Sequence, residues 1–297
     1  MQPIIRLGTI DKDIVEANPF VFKGELYRFE YIRYACFSRP YYRNDSGNSY
    51  FRIIRVRDGF EMPRFGFGLA MGIAYSDGDR VVVTAVADHK TVRPYLYQLE
   101  STDLISWTKP KEVFGGHEWR IHNSTICRNE DRYILSFECD HPEGNFCMRF
   151  LESDDLRSFK MIPDAIFRQK SGYTGGPIIR WFDGWFYIFY ITGGYETRFD
   201  WNVARSRNLK DWESSARNPI MVSDDAEDKK LHPACILDDH EIEIMRNAKN
   251  INVSDMDFCE WQGRLEMIYT WGDQKGHEYY SLATCNATER QFCEQYF

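Results

Sequence analysis

The chain has 297 residues, of which 43% are hydrophobic and 28% charged, the composition of an ordinary globular protein. Lys and Arg number 37 against 45 Asp and Glu, so the net charge of −8 disfavours a nucleic-acid partner. No uncharged apolar stretch is long enough to span a membrane, so we expect no membrane partner either.

The N-terminal segment and the cysteines indicate an intracellular protein. The first residues carry no apolar core of a signal peptide, so we expect a cytoplasmic location unless a leader was removed. Eight cysteines are scattered without a Cys-x-x-Cys pair, and we interpret them as reduced core thiols rather than zinc ligands. We therefore expect no metal site and no cofactor, although the centre of the fold has room for a structural cation.

Five segments along the chain share the pattern of a β-hairpin. In each, an apolar strand, a turn rich in Gly, Asp or Asn, and a second, often aromatic strand follow one another. The segments are Pro19–Phe29, Leu69–Val83, Thr125–Phe137, Pro177–Tyr190 and Met256–Tyr269. Only the stretch from Ala287 to Tyr296 is suited to a short helix, and the charged run from Asp224 to Lys230 is interpreted as a solvated loop.

A second pattern, Ser-x-[Asp/Asn]-Leu-x-x-[Trp/Phe], recurs at a nearly constant period. It begins at Ser101, Ser153 and Ser206, which are 52 and 53 residues apart. Ser and Asp or Asn start turns by bonding to the backbone, while the Leu and the ring can pack onto a sheet. A period of about 50 residues with several strands per unit is typical of a β-propeller.

We therefore predict an all-β, single-domain, five-bladed β-propeller of four-stranded antiparallel blades. The approximate blades are residues 8–61, 62–114, 115–168, 169–229 and 230–297. The last blade lacks a strand, which residues 3–7 are expected to supply. Residues 35–48 form a long loop in the first blade. The aromatic residues, 16% of the chain, are expected mainly to fill the space between blades.

In an up-and-down blade, the start of the first strand, the end of the second and the start of the third lie on one face. This rule places several carboxylates on a common rim: Glu30, Asp88, Glu138, Glu196 and Asp273. Asp255 and Asp257 lie on the innermost strand and share one side of it by the two-residue period of a strand. Converging carboxylates raise one another's pKa, which prepares an acid and a base. We therefore take Asp255, Asp257, Glu138, Glu196 and Asp88 as the catalytic candidates, whereas Asp273 more often caps a turn.

Other polar and aromatic side chains on this rim suit a sugar. Sugar rings stack on aromatic faces, while their hydroxyls bond to carboxylates, arginines and histidines. The substrate-binding candidates are Glu30, Arg33, His89, Arg93, His122, Asn123, Tyr173, Tyr195, Trp271 and His277.

The chain resembles the five-bladed propeller glycoside hydrolases of the arabinanase, β-xylosidase and α-L-arabinofuranosidase superfamily. The levansucrase/invertase and neoagarooligosaccharide hydrolase branches lie alongside it. The features that carry the resemblance are the Asn18-Pro19 opening, the hairpin Asp183–Tyr190 and the Ser-x-Asp-Leu-x-x-Trp segments. The resemblance implies three carboxylates at blade starts: a base, a tuning Asp and an acid. This chain departs at all three positions, with Asn18, Asn123 and Gly175-Gly176.

We therefore expect a glycoside hydrolase of a divergent branch, acting on a plant- or algal-type oligosaccharide from its end with inversion. The base would be Asp255 or Asp257 and the acid Glu196 or Glu138, with His122 as another possible acid. Two alternatives stay open. One is a non-catalytic carbohydrate-binding propeller, favoured by the missing triad. The other is a glycoside phosphorylase, for which His89, Lys90 and Arg93 are the compact phosphate-binding candidates.

Overall fold

The hairpins predicted from the sequence form the inner strands of five blades arranged around a central axis. The computed structural model describes residues 1–88, 94–140, 146–170, 172–194 and 197–297. Within this part of the chain the fold is a five-bladed β-propeller of antiparallel, four-stranded blades, as the repeats indicate. No helix in these ranges combines the length and apolar character needed to cross a bilayer.

The strands follow one another in chain order, four to a blade. Strand β1 (Ile5–Lys12) belongs to the last blade. Blade 1 contains β2 (Val15–Phe22), β3 (Glu25–Ile32), β4 (Tyr50–Arg55) and β5 (Phe60–Glu61). Blade 2 contains β6 (Leu69–Asp77), β7 (Arg80–Ala87), β8 (Tyr95–Ser101) and β9 (Lys111–Gly115). Blade 3 contains β10 (Ile121–Arg128), β11 (Tyr133–Asp140), β12 (Phe146–Ser153) and β13 (Lys160–Phe167).

Blades 4 and 5 complete the ring. Blade 4 contains β14 (Tyr173–Phe182), β15 (Trp185–Gly193), β16 (Phe199–Ser206) and β17 (Glu213–Ser214). Blade 5 contains β18 (Asn252–Trp261), β19 (Arg264–Gly272) and β20 (Glu278–Cys285), next to which β1 lies. The helices are α1 (Asp225–Asp228), α2 (Asp239–Asn247) and α3 (Glu289–Glu294), and two 3-10 helices span Tyr34–Ser38 and Pro40–Tyr42. Helix α3 lies in the predicted stretch, whereas α2 was not foreseen.

The repeated Ser-x-[Asp/Asn]-Leu motif is a tight turn after the third strand of blades 2, 3 and 4. In blade 2 the Ser101 hydroxyl accepts a hydrogen bond from the Leu104 amide at 2.8 Å, and Asp103 accepts one from the Ser106 amide at 2.8 Å. Leu104 is buried although its φ is positive, at 62°. The side-chain bonds hold this unusual backbone, so that the leucine can point into the core.

The ring closes because the first strand of the chain pairs antiparallel with β20. This closing strand, β1, is longer than the predicted residues 3–7, so blade 1 begins at Val15 rather than at residue 8. Closure leaves no open edge between the last blade and the first.

A buried aspartate anchors the closing strand. Asp228, at the end of α1, is inaccessible to solvent, so the run from Asp224 to Lys230 is not wholly the solvated loop that was expected. Its carboxylate accepts hydrogen bonds from Arg6 of β1 at 2.6 Å, Tyr269 of β19 at 3.0 Å and Asn250 at 2.8 Å. One carboxylate thereby joins β1 to blade 5.

We predict that Asp228→Ala destabilises the protein by about 3–5 kcal/mol, because it leaves Arg6 without its buried partner. Asp225→Ala is the matched control, because Asp225 lies on the same helix but is exposed, and its loss should cost under about 0.5 kcal/mol. Equilibrium unfolding in urea measures both. Equal midpoints for the two variants would show that Asp228 does not anchor β1.

Candidate functional site

In each blade, the innermost strand has one extra residue relative to the stretch of the second strand with which it pairs. The register shifts between Val15 and Ala17, Ala70 and Ile73, Ile121 and Ser124, Gly175 and Ile178, and Ser254 and Asp257. Such a β-bulge turns the side chain next to it away from the regular alternation of a strand. Five bulges at one level therefore form a ring around the propeller axis.

The bulges point side chains into a cavity on one face, which we call the axial pocket. Glu16, Met71, Gly176 and Asp255 occupy matching bulge positions, with φ between 44° and 60°. All four line this cavity of about 280 Å³, together with Asn123 of the remaining blade. Non-glycine residues rarely adopt this left-handed conformation, and where they do the site is often functional.

The axial pocket brings together six of the residues singled out from the sequence. They are Arg33, His122, Asn123, Glu138, Tyr173 and Asp255. Four further polar residues of its wall were not among the candidates: Glu16, Ser254, Gln274 and Glu278.

Glu138 lies at the end of the second strand of blade 3 and is 2% exposed. The Tyr173 hydroxyl donates to its Oε1 at 2.7 Å, and the Gly176 amide donates to its Oε2 at 2.9 Å. A Cβ atom on Gly175 would lie 2.7 Å from Glu138 Oε2, so the glycine leaves room for this carboxylate. Burial raises the pKa of Glu138 to about 7 despite these two bonds.

Asp255 lies in the bulge of the innermost strand of blade 5. Its Oδ2 accepts hydrogen bonds from the Ser254 hydroxyl at 2.7 Å and the Thr270 hydroxyl at 3.0 Å. Burial raises its pKa, while the two hydroxyls and the Arg33 charge favour the ionised form. Asp255 is thus a carboxylate that faces the pocket and has donors for its negative charge.

Glu16 is the counterpart of Asp255 in blade 1. Its Oε2 is buried and has no hydrogen-bond partner among the described residues. Burial, and then the Asp255 charge, raise the pKa of Glu16 well above its ordinary value. The hairpin predicted for this blade begins at Pro19, whereas β2 begins at Val15, so Glu16 was missed. Asn18 instead exchanges two hydrogen bonds of 2.9 Å with the backbone of Ala74 and ties blade 1 to blade 2.

Arg33 and Glu278 form an ion pair in the pocket wall. The Arg33 guanidinium donates to Glu278 Oε2 and, through Nε, to the Asp13 carbonyl at 3.1 Å. Glu278 opens the third strand of blade 5, one residue after the predicted His277. Arg33 lowers the pKa values of Glu16 and Asp255, whereas the Glu278 charge raises them, so the two members of the pair act in opposite directions.

Asp257 lies farther along the innermost strand of blade 5, in the wall of a second cavity that Arg180 and Glu289 also line. The two-residue period put it beside Asp255, but the bulge between Ser254 and Asp257 breaks that period. Its Oδ1 accepts a hydrogen bond from Arg180 at 2.8 Å, and Arg180 also pairs with Glu289 at 3.2 Å. Asp257 therefore joins blade 5 to blade 4 and does not reach the axial pocket.

Four other candidates also lie outside the pocket, each for a visible reason. Glu30 is fully buried between Arg28 and Arg52 at 3.0 and 2.6 Å. Trp271 is buried, and its Nε1 donates to the Thr9 hydroxyl at 2.9 Å. His277 is exposed and pairs with Asp273 at 2.8 Å, whereas Asp88 is an exposed residue just after β7.

The remaining predicted residues, His89, Arg93, Tyr195 and Glu196, lie outside the described residues. His122, within the pocket, lies 3.3 Å from Asp140 through its Nε2. Among the residues that the structure describes, no group of three or more His, Cys, Asp or Glu side chains is arranged to hold a metal ion.

Comparisons with known proteins agree on the fold. No family model and no curated protein matches this chain by sequence. An α-L-arabinofuranosidase from Podospora anserina, solved with cellotriose, is similar in structure, with a TM-score of 0.64 and 9% identity over 97% of both chains. A xylan β-1,4-xylosidase from Bacillus halodurans has a TM-score of 0.63 and 12% identity over 96% of this chain and 55% of that one.

A thermostable family-43 glycoside hydrolase is also similar, with a TM-score of 0.62 and 12% identity over 91% of this chain and 89% of that one. The resemblance to propeller glycoside hydrolases is therefore confirmed in three dimensions. At identities this low the likeness shows the fold, and function has to be argued from the pocket.

We predict that Glu138→Gln changes how stability depends on pH. The folded-state pKa of about 7 exceeds the ordinary 4.5, so the unfolded chain releases the proton first. The free energy of unfolding of the wild type therefore falls as the pH rises through this interval. In the glutamine variant, which has no carboxyl group to ionise, that fall should be about 3 kcal/mol smaller.

The measurement is urea unfolding at pH 4.5, 6 and 8. Glu152→Gln is the control, because Glu152 lies on β12 of the same blade with its side chain 34% exposed and paired with Arg132. The same pH dependence in wild type and Glu138→Gln would contradict a raised pKa at this position.

Proposed function

We propose that this protein is a glycoside hydrolase that removes a terminal sugar from a plant- or algal-type oligosaccharide. The observation that carries the proposal is the convergence of Glu16, Glu138 and Asp255 in one pocket, each with a raised pKa. Hydrolysis of a glycosidic bond needs one protonated and one ionised carboxyl group. Burial, and for Glu16 and Glu138 also the charge of Asp255, raises the pKa values and favours such a mixed state.

Glu138 is the proposed general acid. Its pKa of about 7 keeps it protonated at weakly acidic pH, where it can donate to the leaving oxygen. The Tyr173 hydroxyl is a donor to the ionised carboxylate and can turn to accept from the protonated one. Tyr173 can therefore hold the carboxyl group in place before and after proton transfer.

Asp255 is the proposed base that activates water. Its two hydroxyl donors stabilise the ionised form, which a base requires. Glu16 offers the buried Oε2 without a partner, which can accept a hydrogen bond from a substrate hydroxyl. Because these carboxylates share one pocket, their protonation steps belong to the group rather than to single residues.

The shape of the pocket supports action at a chain end with inversion. Residues of all five blades wall a volume of about 280 Å³, small among ligand sites, which favours one sugar ring entering by its end. Glu138 and Asp255 come from blades 3 and 5, with blade 4 between them. This arrangement favours the wider carboxyl spacing that leaves room for a water molecule.

We predict that Glu138→Gln and Asp255→Asn each lower kcat by about 10²–10⁴-fold, the usual contribution of general acid–base catalysis. The substrates are 4-nitrophenyl α-L-arabinofuranoside and β-D-xyloside, with arabino- and xylo-oligosaccharides as natural-type chains. Asp257→Asn is the control on the same strand, and once its folding is confirmed by circular dichroism it should keep turnover. Full turnover in both pocket variants would overturn the proposal.

We further predict that the first-formed sugar has the opposite anomeric configuration to the substrate. Proton NMR during the first minutes of hydrolysis, before mutarotation, reads the configuration directly. Retention would place a covalent intermediate on Asp255 or Glu16 instead of a water-activating base. Turnover that requires added phosphate would indicate a phosphorylase, and tight binding without turnover would indicate a carbohydrate-binding propeller.

A further inference from the structure

A row of four rings, exposed at its two ends, begins beside the axial pocket. Tyr34 directly follows Arg33 of the pocket wall and is 72% exposed, although it is a large apolar side chain. Its ring centroid is 5.2 Å from that of Phe37, which is 6.3 Å from Tyr50, which in turn is 5.9 Å from Phe67. We call Tyr34, Phe37, Tyr50 and Phe67 the aromatic row.

The aromatic row lies on the face that holds the pocket. Tyr50 opens the third strand of blade 1, and Phe67 comes just before the innermost strand of blade 2. That strand supplies Met71 to the pocket wall. Tyr50 is fully buried and supports its neighbours from below, while Phe67 is 48% exposed. The row therefore extends from the pocket mouth toward the boundary between blades 1 and 2.

The segment that carries the row is held in place by ion pairs. Arg39 of the loop is buried and contacts Asp11 of β1 at 3.1 Å and Glu241 of α2 at 3.0 Å. Arg64 donates to the Tyr41 carbonyl at 2.6 Å, and its guanidinium lies 4.7 Å from the Tyr50 ring centroid. The exposed rings thus sit on a fixed support, and a ligand does not have to order them first.

We propose that the aromatic row binds the sugar units on the leaving-group side of a neutral oligosaccharide, which stack on Tyr34 and Phe67. This inference rests on the proposed function, since it extends the same substrate outward from the pocket. Tyr34 is the chain neighbour of Arg33, which lines the pocket, so an oligosaccharide whose end ring occupies the pocket can continue past this exposed ring. Exposed aromatic patches beside a pocket are commonly part of a ligand groove.

A protein partner fits the aromatic row less well. Each ring can bury about 150–250 Å² at most, so two exposed rings stay below the roughly 800 Å² that each side of a stable interface contributes. A narrow strip of two rings suits a narrow chain of sugar rings better.

The test compares affinity with chain length. Xylo- and arabino-oligosaccharides of two to five units are titrated into Glu138→Gln protein, in which turnover is expected to be about 10²–10⁴-fold slower, and the Kd is measured by calorimetry. We expect Kd to fall with length, and the added Tyr34→Ala and Phe67→Ala changes to remove about tenfold of that gain each. Phe60→Ala is the matched control, because Phe60 is 52% exposed on the outer strand of the same blade and outside the row.

The outcomes separate this inference from the proposed function. The inference is wrong, whatever the enzyme hydrolyses, if the gain in affinity with chain length persists in the Tyr34→Ala, Phe67→Ala double variant. It is also wrong if Phe60→Ala loses as much of that gain as the double variant does. Absence of any gain with length in either sugar series also overturns it. A gain that depends on the row, in a protein that hydrolyses no substrate, supports the row and rejects the hydrolase. A wild-type dimer that the double variant converts to monomer in sedimentation would instead assign the row to a second copy of the chain.

Discussion

One extra residue in each innermost strand is the constraint on which the pocket depends. Without the bulge, residues two apart would point the same way, and Asp255 and Asp257 would compete for one space. With the bulge, Asp255 faces the axial pocket, while Asp257 accepts a hydrogen bond from Arg180 in the wall of the second cavity. Glu16 and Asn18 divide in the same manner in blade 1. The bulge thus separates side chains that face a ligand from side chains that join neighbouring blades.

The pocket gathers negative charge that the fold does not neutralise. Arg33 is the arginine among its described wall residues, and its guanidinium is hydrogen-bonded to Glu278 rather than to Glu16, Glu138 or Asp255. Ionising a desolvated carboxyl group costs free energy. The hydrogen-bond donors around Glu138 and Asp255 offset only part of that cost, so burial raises the pKa values of all three groups. The left-handed bulge residues and the buried carboxyl groups cost free energy. The pairing of β1 with β20, the Asp228 hydrogen bonds and the bonds between blades stabilise the fold enough to offset that cost.

The blades could be predicted from the sequence because local residue patterns determine their hairpins. Turn residues and alternating strands mark each hairpin, and Ser101, Ser153 and Ser206 mark three blades by their spacing alone. The residues of the pocket are harder to predict, because a bulge depends on how two strands pair and has no residue pattern of its own. Glu16 was therefore missed. Glu30 and Trp271 were placed at the rim by strand position, but burial among Arg28, Arg52 and Thr9 gives them structural roles.

The structure also changes the meaning of the missing carboxylate in blade 4. Gly175 and Gly176 stand where the resemblance led us to expect an acid, and their lack of side chains alone would suggest lost chemistry. In space, Gly175 leaves open a position that Glu138 reaches from the neighbouring blade, and the Gly176 amide donates a hydrogen bond to that carboxylate. A side chain at Gly175 would collide with both Glu138 and Tyr173. The position of the Glu138 carboxylate therefore depends on Gly175, which leaves the space, and on the Gly176 amide, which binds the carboxylate.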